Sequence, residues 1–182
     1  MPFQEKRMKN GKREHFIIDG YNVINDWSEL IKLRDNLEFA RDKLVDILTE
    51  YGAFQQYDIT IVFDAFFTVR SESYEQVNEN LVIIYTDEGE TADSYIEKLA
   101  YNLVRQGIEV YVVTSDYAEQ TVILGAGAYR VSSREFRKDI KKTKKKIEEE
   151  YMHNPIFLSR RELGGRIKAD VAKKMDEFRK RR

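Results

Sequence analysis

Cysteine is absent from the 182 residues, which excludes a disulfide framework, a thiolate zinc site, an iron–sulfur cluster and a cysteine nucleophile. A reducing compartment is the corresponding expectation. Histidine is scarce: His15 opens an apolar run and His153 sits in a charged tail, positions that suit structural or surface residues better than general bases. No apolar run approaches the roughly 20 residues that cross a bilayer, and the opening MPFQEKRMKNGKRE is polar where a signal peptide would be apolar. The expectation is a cytoplasmic protein with no membrane partner. The phosphate-loop pattern G-x-x-x-x-G-K-[ST] does not occur, and GAGA at 125–128 does not match a dinucleotide fingerprint, so no nucleotide cofactor is expected. Internal repeats and low-complexity linkers are missing as well.

What is present suffices for one core. Hydrophobic residues make up 42% of the chain and aromatics 12%, so the 35% that are charged must coat a globule rather than mark a disordered polymer. A net charge of −1 conceals a division along the chain. Residues 1–128 hold 12 Lys and Arg against 23 Asp and Glu, whereas residues 129–182 hold 19 against 9.

Four runs are continuously apolar and rich in β-branched and aromatic residues: HFIID at 15–19, ITIVFD at 59–64, LVIIYTD at 81–87 and VYVVTSD at 110–116. Unbroken rather than alternating hydrophobicity describes strands buried on both faces, and the intervening segments are long enough for crossover helices between parallel strands. The fold class is α/β. Leu37, Ala40, Leu44, Ile47, Leu48 and Tyr51 recur at helical spacing, with Gly52 as a stop signal. A second helix is expected over 91–105, with Thr91 as its N-cap and Gly107 beyond its end. A short helix over 118–124 and a fifth short strand over 128–131 complete the body. The tail reads as two charged helices split by Asn154-Pro155. Phe136, Ile140, Thr143, Ile147 and Tyr151 stripe the first, and an S-x-x-E capping box at Ser159 and Glu162 starts the second.

The acids carry the chemistry. Asp19, Asp64, Asp87 and Asp116 each terminate a strand-like run, and in an open parallel sheet the carboxyl ends of the strands share the edge where ligand sites form. Asp93 falls in the first turn of the 91–105 helix, at that same edge. Taken singly, each is as well explained by loop polarity or by the helix dipole. Several together repel and raise one another's pKa unless a cation neutralises them. Oxygen donors without thiolates favour Mg²⁺ or Mn²⁺ over zinc, and a carboxylate-held ion of this kind activates water for phosphodiester hydrolysis.

DGYNVI at 19–24, VFDA at 62–65, ETADSYIEKLA at 90–100 and TSDYAEQ with GAGA at 114–128 resemble the YacP-like NYN-domain proteins, which belong to the PIN-like nucleases. The resemblance spans about 15–150. It implies a PIN-like three-layer α/β/α sandwich with a mainly parallel central sheet, divalent-metal-dependent endoribonuclease activity, and mRNA cleavage linked to the ribosome. Carried over residue by residue, it implies that Asp19, Asp93 and Asp116 are the ligands of Mg²⁺ or Mn²⁺, with Asp64 a further acid of second rank. Asn22 orients Asp19 or donates to a phosphate, or else only stabilises its own turn; Thr114, Ser115 and Glu90 are supporting residues. Asp87 is outside the family's motif and reads as a solvated turn residue. Tyr21 reads as packing rather than as a platform for a base.

A nuclease with an acidic site needs cations elsewhere to hold a polyanion. Arg130, Arg134, Arg137, Lys138, Lys141, Lys142, Lys144, Lys145 and Lys146 supply them, and RNA or ribosome contact is favoured over a merely solvated helix face paired with Glu148, Glu149 and Glu150. The organisation expected is a flexible basic extension over 1–14, a nuclease domain over 15–131, and a basic helical extension over 132–182 packed on it. Two competitors stand beside the nuclease. One is a non-catalytic RNA-binding or ribosome-associated module on the same fold. The other is a phosphohydrolase of the haloacid dehalogenase type, which wants a second Asp where Tyr21 stands.

Overall fold

The computed structural model describes residues 14–64, 74–115 and 125–153. Six strands form one sheet among these residues: β1 (His15–Asp19), β2 (Asp58–Phe63), β3 (Tyr74–Asn78), β4 (Leu81–Tyr85), β5 (Val110–Val113) and β6 (Tyr129–Val131). Their order is β3-β4-β2-β1-β5-β6, parallel throughout except for the β3–β4 pair. β1 lies between β2 and β5, with His15 opposite Asp58 on one side and Ile18 opposite Val113 on the other. The chain leaves β1 towards β2 and later crosses to β5 on the far side, so the sheet has its topological switch point at the carboxyl end of β1.

Helices cover both faces, giving the three-layer sandwich. On one face lie α1 (Gly20–Asp26), the single turn α2 (Ser28–Ile31), α3 (Leu37–Gln55) and the start of α5 (Ser133–His153); on the other lies α4 (Ala92–Arg105). The pleat explains the division. Phe16 and Ile18 of β1 point into the cluster with Leu44, Leu48, Trp27 and Phe136, while Ile17 between them joins Ile96, Ala100 and Val112. Phe16 sits among rings, stacked on Tyr111 at 5.0 Å and on Phe136 at 5.6 Å. No described helix is long and apolar enough to cross a membrane.

The four apolar runs are β1, β2, β4 and β5, and the short fifth strand is β6. β3 was not anticipated: its YEQVN is polar, largely exposed, and paired antiparallel at the sheet edge with a register shift between Gln76 and Asn78. α3 also differs from expectation, because Gly52 does not stop it. The helix runs on to Gln55 and closes with Gln56 in the left-handed region at φ 58°. Gly52 instead lies close to β2, where a Cβ would come within 2.8 Å of Ile59 Cδ1, the far end of that side chain. α4 starts as expected, with Thr91 Oγ1 accepting the Ser94 amide at 3.2 Å.

The chain divides into two units between Lys141 and Lys142, and α5 spans the division. In the first unit Phe136 and Ile140 enter the core. In the second, Thr143 and Ile147 are buried but Tyr151 is 54% exposed, so the apolar stripe ends a turn earlier than expected. A capping box starts the helix: Ser132 Oγ accepts the Glu135 amide at 3.2 Å and Glu135 Oε2 accepts the Ser132 amide at 3.0 Å. The expected 118–124 helix, the second tail helix with its Ser159–Glu162 box, and nearly all of the 1–14 extension lie outside the described residues.

Candidate active site

The site begins where β1 ends. Asp19, only 9% exposed, is both the last residue of β1 and the N-cap of α1, its Oδ1 accepting the Asn22 amide at 3.0 Å. The segment expected as a tight turn is therefore a helix that starts with no intervening loop. Gly20 makes this possible, because a Cβ at that position would lie 2.2 Å from Phe63 Cε1 at the end of β2. Tyr21 packs edge-on against the same Phe63 ring at 5.0 Å and accepts a hydrogen bond from Arg41 Nη1 at 2.9 Å, the packing role expected of it.

Burial pushes the Asp19 carboxyl up to about 6 from its ordinary 3.8; the amides of Asn22 and Tyr21 oppose this, and the charges of Asp93 and Asp64 add to it. Three of the four leading acids thus share one electrostatic environment: Asp19 buried, Asp64 half-buried just past β2, and Asp93 exposed in the first turn of α4. Asp116 lies outside the described residues. Among the described residues, no three acidic or imidazole groups are gathered closely enough to make an ion site by themselves. The donor chemistry nonetheless suits a hard divalent cation: oxygen donors, one of them a buried carboxylate whose ionisation is opposed by two neighbouring acids.

Asn22 does more than hold its own helix. Its side-chain oxygen accepts the Ser115 amide at 2.9 Å, tying α1 to the end of β5 across 93 residues of chain. Thr114 is fully buried, with its amide donating to Val131 O at 3.2 Å. Ser115 Oγ lies 2.7 Å from Ser133 Oγ, and Ser133 in turn donates to Asp26. Glu90 is ion-paired with Lys98 Nζ at 2.7 Å. Asp87 is exposed, as a solvated turn residue would be.

The basic residues divide into two groups. Arg137 is held by Glu29 and donates to Ser28 Oγ at 2.6 Å, and Arg134 lies 3.5 Å from Asp26. Arg130, Lys138, Lys141, Lys142, Lys144 and Lys145 are exposed, and Lys146 is half-buried. Sequence reasoning missed Asp26, Ser133 and Glu29. Asp26 and Ser133 meet across 107 residues, a pairing no local pattern announces, but the S-x-x-E run at Ser132–Glu135 was there to be read.

The chain matches the family model of the YacP-like NYN domain over residues 16–180. It is 40% identical over 133 residues to the uncharacterized protein YacP of Bacillus subtilis (strain 168), covering 72% of this chain and 78% of that protein. The crystal structure of Rae1 (YacP) from Bacillus subtilis superposes with a TM-score of 0.71 at 34% identity, covering 92% of this chain and 95% of that one. A crystal structure of a point mutant of the same Bacillus subtilis protein superposes with a TM-score of 0.67 at 36% identity, over 76% and 81% of the two chains.

Proposed function

The chain belongs to the YacP-like NYN domain family, and on that premise we propose that it is a divalent-metal-dependent endoribonuclease that hydrolyses RNA phosphodiester bonds, with mRNA on the ribosome as its substrate. The observation that carries this reading is Asp19, a buried carboxyl at the switch point of a parallel sheet whose ionisation is opposed by Asp93 and Asp64. Capping α1 needs only a neutral acceptor, so folding does not require a charge at Asp19, and burying one beside like charges is costly. A cation explains the arrangement.

In this reading Asp19, Asp93 and Asp116 hold Mg²⁺ or Mn²⁺, and Asp64 supports them. When bound, such an ion acidifies its water and neutralises charge on the leaving oxygen. The chain's own part is positional. The amides at the start of α1 fix the Asp19 carboxylate, Asn22 joins that helix to the end of β5, and Thr114 is locked in the core. Exposed cations from Arg130 to Lys145 hold the RNA backbone, which supplies affinity and register without reading sequence. The cytoplasm is the corresponding location.

The test is a labelled mRNA, free and on translating ribosomes, incubated with the protein in Mg²⁺, Mn²⁺ or EDTA, beside Asp19→Asn and Asp93→Asn. Discrete cuts that disappear in EDTA and in both variants support the reading, and stronger cutting on ribosomes supports the proposed substrate. Cutting that persists in either variant, or RNA binding without any cutting, counts against it.

A further inference from the structure

We propose that Ser133 and Asp26 are positioning residues of this site: they fix the chain at Ser115, from which Asp116 follows in sequence. The inference rests on the nuclease reading above and adds to it two residues that touch neither metal nor RNA.

Hydrogen-bond polarity carries the argument. Ser133 donates its single hydroxyl proton to the Asp26 carboxylate. The Ser133 oxygen can then only accept from Ser115, 2.7 Å away. The result is a one-way chain from Ser115 through Ser133 to Asp26. It commits the Ser115 hydroxyl proton to Ser133, so Ser115 serves to hold this part of the chain rather than to donate to substrate. Its amide is held as well, by Asn22 Oδ1 at 2.9 Å. Both anchors belong to α1, Asn22 within it and Asp26 as its last residue, and Asp19 caps the start of that helix. One short element thus ties the end of β1 to Ser115, just beyond the end of β5.

Ser133 is itself held in the core. It is fully buried, and its carbonyl accepts from Trp27 Nε1 at 2.9 Å, with Trp27 only 1% exposed. Because Ser133 opens α5, the basic helix and the acidic edge are joined through one side chain.

The test uses the full chain with three variants, reading RNA cleavage kinetics, Mn²⁺ dependence and amide hydrogen exchange at Ser115. Ser133→Ala and Asp26→Ala are expected to lower kcat and weaken the Mn²⁺ response by about 10- to 100-fold, as loss of groups that orient metal ligands does elsewhere. KM for RNA stays unchanged, and Ser115 exchange accelerates in both variants. Asp26→Asn keeps an acceptor for Ser133 and retains wild-type behaviour, which a general loss of stability would not produce. Wild-type Ser115 exchange together with a wild-type Mn²⁺ response in Ser133→Ala overturns the proposal, and the same pair of results in Asp26→Ala overturns it if Ser133→Ala does not fold. If the wild type cuts no RNA under any condition, the nuclease reading fails. Ser115 exchange then decides the positioning role alone, faster in both alanine variants sustaining it and unchanged overturning it.

Discussion

Replacing Asp19 by Asn should make the metal-free protein more stable while removing its activity. Burial and the neighbouring acids raise the Asp19 carboxyl from 3.8 to about 6, so the folded state holds its proton more tightly than the unfolded state does. The stability this contributes is complete below the unfolded value and is lost as pH rises through the folded one. At 1.36 kcal/mol for each pH unit, the loss at neutral pH and above is about 3 kcal/mol. Asn avoids that loss because it never ionises, and its side-chain oxygen still caps the Asn22 amide. For a chain of this size the gain corresponds to a rise in Tm of roughly 6 to 12 °C. The assay is thermal unfolding followed by circular dichroism in EDTA, at about pH 8 and about pH 4, where the gap should be large and then small. Adding Mg²⁺ should stabilise the wild type by mass action and leave the variant unmoved, narrowing the difference. A variant less stable than wild type by the same amount at both pH values would refute the reasoning, since Asp19 would then be an ordinary helix cap.

Three further outcomes follow from particular contacts. Gly20→Ala places a Cβ 2.2 Å from the Phe63 ring beside the proposed metal ligand, and should cost about 1 to 3 kcal/mol in denaturant unfolding along with most of the cleavage rate. Ser132→Ala removes one half of the box that starts α5 and should lower stability by about 1 kcal/mol, read as a reduced urea midpoint with unchanged slope. Lys138→Glu with Lys141→Glu should weaken RNA binding and flatten its salt dependence by about 0.7 in log–log slope for each phosphate no longer neutralised, measured by fluorescence anisotropy.

The sheet was legible because β1, β2, β4 and β5 are buried on both faces, and in a chain without membrane-length segments a short, continuous apolar run rich in β-branched residues marks such a strand. β3 was not, since a solvent-facing edge strand needs no hydrophobic pattern. α1 escaped for another reason. A seven-residue helix is too short to show a period, and its buried Val23 and Ile24 are adjacent in sequence. Gly52 suggested a helix terminus, but the helix passes through it to Gln55, with the glycine close against Ile59.

The site was legible in part. Acids at strand ends point to the edge, and the four motifs put forward Asp19, Asp64, Asp93 and Asp116 for it, of which the described residues include the first three. That Asp64 and Asp93 bear electrically on a buried Asp19 is a fact of three dimensions. So is the fate of Arg137, which read as one more cation for RNA and is engaged by Glu29, 108 residues away. Asn22 had two roles open to it in the sequence, and the hydrogen bond to Ser115 adds a third that unites the first and last acidic motifs.

The most direct measurement of the central claim is the end-mapping of a labelled mRNA after incubation with wild type in Mn²⁺, wild type in EDTA, and Asp19→Asn in Mn²⁺. Internal cuts in the first reaction alone are what the account predicts. Equal cutting in all three, or in none while the RNA remains bound, contradicts it.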